Sequence, residues 1–280
     1  MILIKDKKDM VLAPEGMFTD SVIVGAMEKV KVDPATVEIL STKFSRIGKG
    51  TLDKYPNLKW IVCRAHGYDT VDIEEVKKRG IGLVCTKPHA GPCSDYIHNH
   101  LHKINEDRRE VKRVVFDGFG SIAQQVTWHG DHKTNFIDKT RSGEVQFLKW
   151  ADCVVLTVPL TDRTRGMVNA DYFRKMGKGK YLISISRSEV IDNVALLDAI
   201  KEGNIKKAII DTLAPDLRTE LLDTGSVKWT QHQAWCYNLE QHNGNYFPSL
   251  RQILNKCKKD DKDIPGLVVA RKKQNTLCNF

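Results

Sequence analysis

Val114-Val115-Phe116-Asp117-Gly118-Phe119-Gly120-Ser121-Ile122-Ala123 is the stretch on which the reading of this chain turns. A β-branched and aromatic run leads into Gly118, and Ser121–Trp128 behind it has the pattern of a helix. Gly118 to Ala123 matches the G-x-G-x-x-G/A form of the dinucleotide fingerprint. Gly118 permits the tight turn after the strand. Gly120 lets the backbone approach a pyrophosphate, whose charge then sits at the helix N-terminus. Ala123 is small enough for close packing of helix on strand. Asp138 closes the next strand, Asn135–Asp138, about twenty residues beyond Gly118. An acid there accepts a ribose 2′-hydroxyl and repels a 2′-phosphate, which points to NAD as cofactor. Lys139 and Arg141 are the residues that would favour NADP instead.

Working outward, the middle of the chain alternates strands with helices. Cys153–Val158, Tyr181–Ser186, Ala208–Asp211 and Val227–Thr230 read as strands, and Ala170–Met176 and Asn193–Glu202 as helices. That alternation predicts a parallel sheet with helices on both faces. The first hundred residues repeat the style, with strands at Val37–Leu40, Leu58–Val62 and Gly82–Cys85 and a charged helix at Val71–Lys78. A long helix is expected at about Asn243–Lys256, followed by a polar, lysine-rich tail.

Composition narrows the class. Of 280 residues, 41% are hydrophobic and 28% charged, as in ordinary globular proteins. No apolar run approaches the roughly 20 residues needed to span a bilayer, and Met1–Asp9 reads as a first strand, so a cytoplasmic location is expected. The seven cysteines are scattered and odd in number, against a disulfide framework or a structural zinc site. The net charge of +9 is spread along the chain without a zinc-finger or basic heptad pattern. It is read as a basic surface that attracts anionic substrates, and no nucleic-acid partner is expected. His98, His100 and His102 would share one side of a strand but diverge on a helix, so no metal site is expected.

Downstream of the glycine loop come Arg187, Asp216 and His232. A cationic fork, a carboxylate and an imidazole are what hydride transfer to a 2-oxo acid needs. Arginine matches a carboxylate with a planar fork, and histidine titrates near neutral pH.

Pro56-Asn57-Leu58-Lys59-Trp60-Ile61-Val62, Gly67–Asp72, Lys78–Ile81, the glycine loop, Trp150–Val155, Val158–Thr161, Thr164–Asn169, Ile185–Asp192 and Thr230-Gln231-His232 together resemble the D-isomer-specific 2-hydroxyacid dehydrogenases. That family includes glyoxylate/hydroxypyruvate reductases and glycerate or phosphoglycerate dehydrogenases. The resemblance runs from about Pro56 to about Ala234. It implies that Arg187 holds the substrate carboxylate and carbonyl, that His232 is the general acid/base, and that Asp216 pairs with His232. It implies cofactor contacts from Gly118, Phe119, Gly120, Ser121, Ile122, Asp138, Val158, Pro159, Ser186 and Asp211, the last at the nicotinamide carboxamide. His66 and Gly67 would hold the substrate carboxylate through backbone N–H groups.

The implied fold is α/β. A Rossmann-type doubly wound parallel sheet, residues 101–232, is inserted into a smaller flavodoxin-like substrate domain, residues 1–100 and 233–280. Four differences from the family's pattern stand out. Asp216 is one methylene shorter than the usual glutamate. Gln231 replaces the proline before the histidine. Trp235-Cys236 replaces small residues after it. The linker from about His98 to Lys112 is short, which predicts a homodimer with a reduced interface. The partner implied is a small 2-oxo or 2-hydroxy acid. An NAD-sensing, corepressor-like scaffold of the same fold is the alternative, and a relative acting on formate or phosphite is a third reading.

Overall fold

Two sheets, one all parallel and one parallel but for an antiparallel edge strand, each with helices on both faces, carry the chain in a computed structural model. It describes residues 1–5, 13, 15–23, 32–43, 45–65, 67–86, 90–108, 111–128, 133–137 and 144–271. The chain divides into two units: Met1–His89 with Glu240–Phe280, and Ala90–Leu239.

The first unit opens with β1 (Ile2–Ile4), β2 (Ser21–Ile23), β3 (Ile39–Thr42), α1 (Lys49–Lys54), β4 (Trp60–Cys63), α2 (Ile73–Lys78) and β5 (Gly82–Cys85). The second contains α3 (Ala90–Arg108), β6 (Arg113–Asp117), α4 (Ser121–Trp128), β7 (Lys133–Ile137), α5 (Glu144–Trp150), β8 (Cys153–Leu156), α6 (Ala170–Met176), β9 (Lys180–Ser184), α7 (Asn193–Lys201), β10 (Ile205–Ile210), α8 (Arg218–Asp223) and β11 (Val227–Trp229). The chain then completes the first unit with α9 (Leu239–Lys258) and β12 (Leu267–Val269).

In the first unit the parallel order is β2-β1-β3-β4-β5, the flavodoxin-like arrangement, and β12 adds antiparallel to β5 at the edge. Its strands alternate by face, as a period of two demands. Ile2, Ile4, Ile39, Trp60, Val62 and Val84 pack with Phe247, Leu250 and Leu254 of α9. Leu3, Leu40, Ile61, Cys63 and Leu83 pack with Leu52 of α1 and Val76 of α2 on the other side. Asp72 caps α2 by accepting from Glu75 N at 3.0 Å.

In the second unit the order is β7-β6-β8-β9-β10-β11, all parallel. The order reverses at β6, which has β7 on one side and β8 on the other, so the loop after β6 opens at a topological switch point. Val114, Phe116, Cys153, Val155 and Ile183 face α3 and α4 through Ile97, Leu101 and Ala123. Val115, Val154, Leu156 and Leu182 face α6 and α7 through Phe173, Met176 and Leu196. Each of the larger side chains is 0–1% exposed and contributes about 1.5–3 kcal/mol by burial. Asp192 caps α7 by accepting from Val194 N and Ala195 N.

The unit boundaries fall at 89/90 and 239/240, where the sequence placed them at 100/101 and 232/233. α3 is one continuous helix whose Tyr96, Ile97 and Leu101 share a core with Val114 and Phe116, so it belongs wholly to the second unit. Ala234, 1% exposed, joins the same core and carries the segment after His232 with it. The stretch from about His98 to Lys112, which the sequence presents as a short linker, is mostly helix: α3 runs on to Arg108, and β6 begins at Arg113. The three histidines lie on α3 and diverge: His100 is 5% exposed, while the His102 side chain is 73% exposed and pairs with Glu106. No cluster of metal-ligating side chains occurs among the described residues, and none of their helices is long and apolar enough to cross a membrane.

Candidate active site

Among the described candidate residues of the second unit, Gly118, Val158, Ser186, Arg187, Asp211 and His232 lie just beyond the carboxyl ends of parallel strands. At the end of β6, Asp117 is fully buried, and its Oδ2 accepts from the Tyr172 hydroxyl at 3.0 Å. Gly118 follows at φ +105°, and a Cβ built on it would lie 2.9 Å from Val158 N and 3.0 Å from Thr157 C. Thr157 closes the turn by donating its N–H to Asp117 O at 2.9 Å and its hydroxyl to Gly118 O at 2.7 Å. The chain therefore leaves β8 at Leu156, and Val158 and Pro159 lie outside the strand. Gly118→Ala should lower stability by about 1–3 kcal/mol, from the left-handed backbone and the close carbonyl and amide together. It should also weaken NADH binding. Thermal melting and an NADH fluorescence titration read both, and an unchanged melting temperature would contradict the close approach.

At Gly120 the situation is the opposite. A Cβ there would meet nothing within 4 Å. Gly120 O accepts from Gln124 N at 3.0 Å to start α4, Ser121 is exposed at its first position, Ile122 is half-buried, and Phe119 is 49% exposed. Ala123 is fully buried against the strand. Space in front of a helix N-terminus with a buried small residue behind it suits a pyrophosphate.

β9 ends at Ser184, so Ser186 and Arg187 also stand beyond their strand. Ser186 is 3% exposed, and its hydroxyl has no hydrogen-bond partner among the described residues, although its carbonyl accepts from Thr212 Oγ1 at 2.6 Å. A buried hydroxyl costs free energy unless something bonds it. Arg187 is half-buried in extended conformation, φ −83° and ψ 154°, at the start of a 3-10 turn, Ser188–Val190.

β10 delivers Asp211, 1% exposed. Its Oδ1 accepts from Thr230 Oγ1 at 2.8 Å, Gln233 N at 2.7 Å and Ala234 N at 3.1 Å. Since Thr230 spends its only hydroxyl proton on Asp211, the Tyr96 hydroxyl donates to Thr230 Oγ1 at 2.8 Å. Burial, with the Asp211 charge adding to it, pushes the Tyr96 phenol well above its usual range, so it stays a donor. The described residues offer no donor to Asp211 Oδ2.

β11 then delivers His232. Its N–H donates to Asp211 O at 2.6 Å. Gln231 and His232 both sit in the left-handed region, at φ +57° and +59°. Two such residues in succession cost about 1–2 kcal/mol each, and the hydrogen bonds converging on Asp211 offset that. The proline expected before the histidine cannot occur on this path, because its ring holds φ near about −65°. Gln231 fits the backbone that the structure has.

The expected pairing of Asp216 with His232 is not formed. Asp216 is exposed, and its carboxylate accepts from Asn193 Nδ2 at 3.3 Å, while its carbonyl accepts from the same group at 2.9 Å. The shorter side chain is held at the mouth of α7, and among the described residues no ion pair links it to the imidazole. Arg187 follows β9 and His232 follows β11, the two strands that flank β10. Gly67 lies in the first unit, beyond the carboxyl end of β4. His66 and Asp138, with Lys139 and Arg141, lie outside the described residues.

Sequence reading missed Asp117, whose signal was an acid in an otherwise apolar buried strand, and Asn193. Tyr96 and Thr230 gave weaker signals, since each looks like a filler beside a stronger motif.

Residues 17–92 match the family described as the D-isomer specific 2-hydroxyacid dehydrogenase catalytic domain, and residues 94–234 match the same family's NAD binding domain. A glyoxylate reductase of Pyrococcus horikoshii is 29% identical over 252 residues, 74% of this chain and 75% of that protein. A Haemophilus influenzae relative assigned to the 2-hydroxyacid dehydrogenases is 37% identical over 231 residues, 68% of this chain and 71% of that protein. The same fold is found in D-lactate dehydrogenase from Aquifex aeolicus, with a TM-score of 0.77 at 20% identity, covering 97% of this chain and 100% of that one. With both family domains matched in order, and the NAD binding domain over half of its length, the chain belongs to the D-isomer specific 2-hydroxyacid dehydrogenase family.

Proposed function

We propose that this protein reduces a small 2-oxo acid to a D-2-hydroxy acid with NADH, glyoxylate being the first substrate to try. One observation carries the reading. The glycine loop, Ser186-Arg187, Asp211 and His232 follow the carboxyl ends of β6, β9, β10 and β11 of one parallel sheet, which supports a shared site at that edge. NADH, when bound, supplies the hydride. Gly118–Ile122 would hold its pyrophosphate, with Val158 and Pro159 beside the loop. The Ser186 hydroxyl and Asp211 Oδ2 are the polar atoms left for its nicotinamide end.

The Arg187 guanidinium holds the substrate carboxylate and stabilises the negative charge that develops on the carbonyl oxygen. The protonated His232 imidazole donates to that oxygen and is recharged from solvent. Asp211 positions His232 from behind, through the backbone rather than the ring. The backbone at His66 and Gly67 would supply further donors to the carboxylate. NAD is preferred over NADP on Asp138, and a homodimer with a reduced interface and a cytoplasmic setting complete the reading.

Asp216→Asn should lower kcat by at most about tenfold, because its carboxylate rests on Asn193 and not on the imidazole. A loss as large as that from removing His232 would mean that the pair forms during turnover. The same geometry favours one second reading. Asp216 resting on Asn193, away from its expected place beside His232, suits a weakly catalytic, NAD-dependent scaffold. Optical NADH oxidation against glyoxylate, hydroxypyruvate, pyruvate and oxaloacetate, with NADPH in parallel, separates the two. Turnover on any of them supports the dehydrogenase. Tight NADH binding with none supports the scaffold.

A further inference from the structure

Neighbouring side chains on a regular strand point to opposite faces. β10 departs from that at Lys206 and Lys207. Both are exposed, and the pairing with β9 shifts register between Ile205 and Lys207. Bulges of this kind re-aim side chains. Here both lysines line one cleft of about 520 Å³, together with Lys103 of α3 and Lys228 of β11. The cleft lies on the α3 face and is lined by Tyr181 of β9, Lys206, Lys207 and Ile209 of β10 and Lys228 of β11, with neither Asp211 nor His232 in its wall.

Charge in this cleft is not balanced. Among the described residues Lys103, Lys207 and Lys228 take part in no ion pair, and Lys206 Nζ stands 5.7 Å from the Tyr181 ring centroid. The one carboxylate lining the cleft, Glu106, is engaged by His102 Nδ1 at 3.0 Å. The floor is apolar, made by Ile104, Tyr181 and Ile209, all buried. His100 is set into it, its ring 4.5 Å from that of Tyr96. Burial first, and then the charges of Lys228, Lys103 and Lys207, push the His100 imidazole down to about 4. It is therefore neutral at pH 7 and keeps one N–H to donate.

We propose that this cleft binds a compact anion carrying two or more phosphate groups, held by Lys103, Lys207 and Lys228. Its volume falls in the range of small-molecule clefts, roughly 300–1,000 Å³. An apolar floor under several uncompensated cations focuses positive potential on a small volume, and ammonium groups on flexible stems suit phosphate oxygens. A site on the α3 face of the sheet, sharing no residue with those assigned to the hydride chemistry, would report a metabolic anion without competing for the catalytic centre.

Inorganic pyrophosphate is the probe, titrated calorimetrically onto the wild-type protein with and without NADH. One site is expected, insensitive to NADH. It should weaken at least about tenfold in Lys207→Ala/Lys228→Ala, since each charge-assisted hydrogen bond is worth a factor of that order. Lys103→Ala, on the helix, provides a second variant that leaves the strands untouched. Addition of pyrophosphate should also raise the His100 titration followed by NMR, because it neutralises the cations that depress it. Binding that survives in both variants, or that NADH displaces, would place pyrophosphate at the glycine loop and overturn the proposal. No binding would overturn it too. So would an oligonucleotide that binds through these lysines where pyrophosphate does not, by pointing to a macromolecule.

Discussion

His232→Ala should lower kcat by roughly two to four orders of magnitude, the usual loss when a general acid–base is removed. NADH affinity should stay as it is. The substitution removes the imidazole but leaves the backbone, whose N–H on Asp211 O at 2.6 Å and left-handed conformation hold the loop in place. Alanine pays the same left-handed cost as histidine there, so the melting temperature should move little. The glycine loop is on β6, with three strands between it and β11, and does not feel the change. Steady-state kinetics with glyoxylate and an NADH fluorescence titration are the two measurements. Unchanged kcat would mean that another group delivers the proton and would remove His232 from the mechanism.

Arg187→Ala should reduce kcat/KM by roughly two to three orders of magnitude, comparable to the loss of a donor to a developing oxyanion. The split between the two constants is informative. A contact with the carboxylate alone is made equally in ground and transition states and would raise KM, whereas a contact with the carbonyl oxygen would lower kcat. Both should change. Arg187→Lys should recover only part of the loss, because a single ammonium cannot bridge carboxylate and carbonyl with a planar fork. A specificity constant within a few-fold of wild type in the alanine variant would refute the assignment.

Much of this was legible before the coordinates. The glycine loop announced itself because each of its residues is chosen by a different local constraint: a turn at Gly118, an approach at Gly120, a packing contact at Ala123. Fully buried strands such as Cys153–Leu156 gave continuous apolar runs, and α9 was read as a long helix, whereas the second half of α3 was read as a linker. Of the short helices, α2 and α6 were read and α1, α5 and α8 were not. α1, α5 and α8 have six or seven residues each, fewer than two helical turns, so periodicity carries little signal. β12 was hidden in a stretch that reads as a lysine-rich tail, because its strand status comes from the edge of β5 and not from its own composition. At the site, residue types were readable but directions were not. Nothing in Thr230-Gln231-His232 says that two residues adopt positive φ. That follows from the donors gathered on Asp211 Oδ1. Nor does the sequence say that Asp216 turns to Asn193, a choice between two nearby polar partners decided by one methylene.

The two units differ in how they come off the ribosome. Ala90–Leu239 is one uninterrupted segment, so every strand of its sheet has been synthesised once β11 emerges. The other sheet is begun first and finished last. On one face Ile2, Ile4, Trp60, Val62 and Val84 meet Phe18 early but lack Phe247, Leu250 and Leu254 of α9 until the end. During the synthesis of roughly 150 intervening residues, at about 5–20 per second, that apolar face waits for many seconds in nascent form. A chaperone that recognises exposed aliphatic β-structure would therefore meet the amino-terminal segment of this protein, and a ribosome stalled before α9 would release a chain whose second unit is folded and whose first is not.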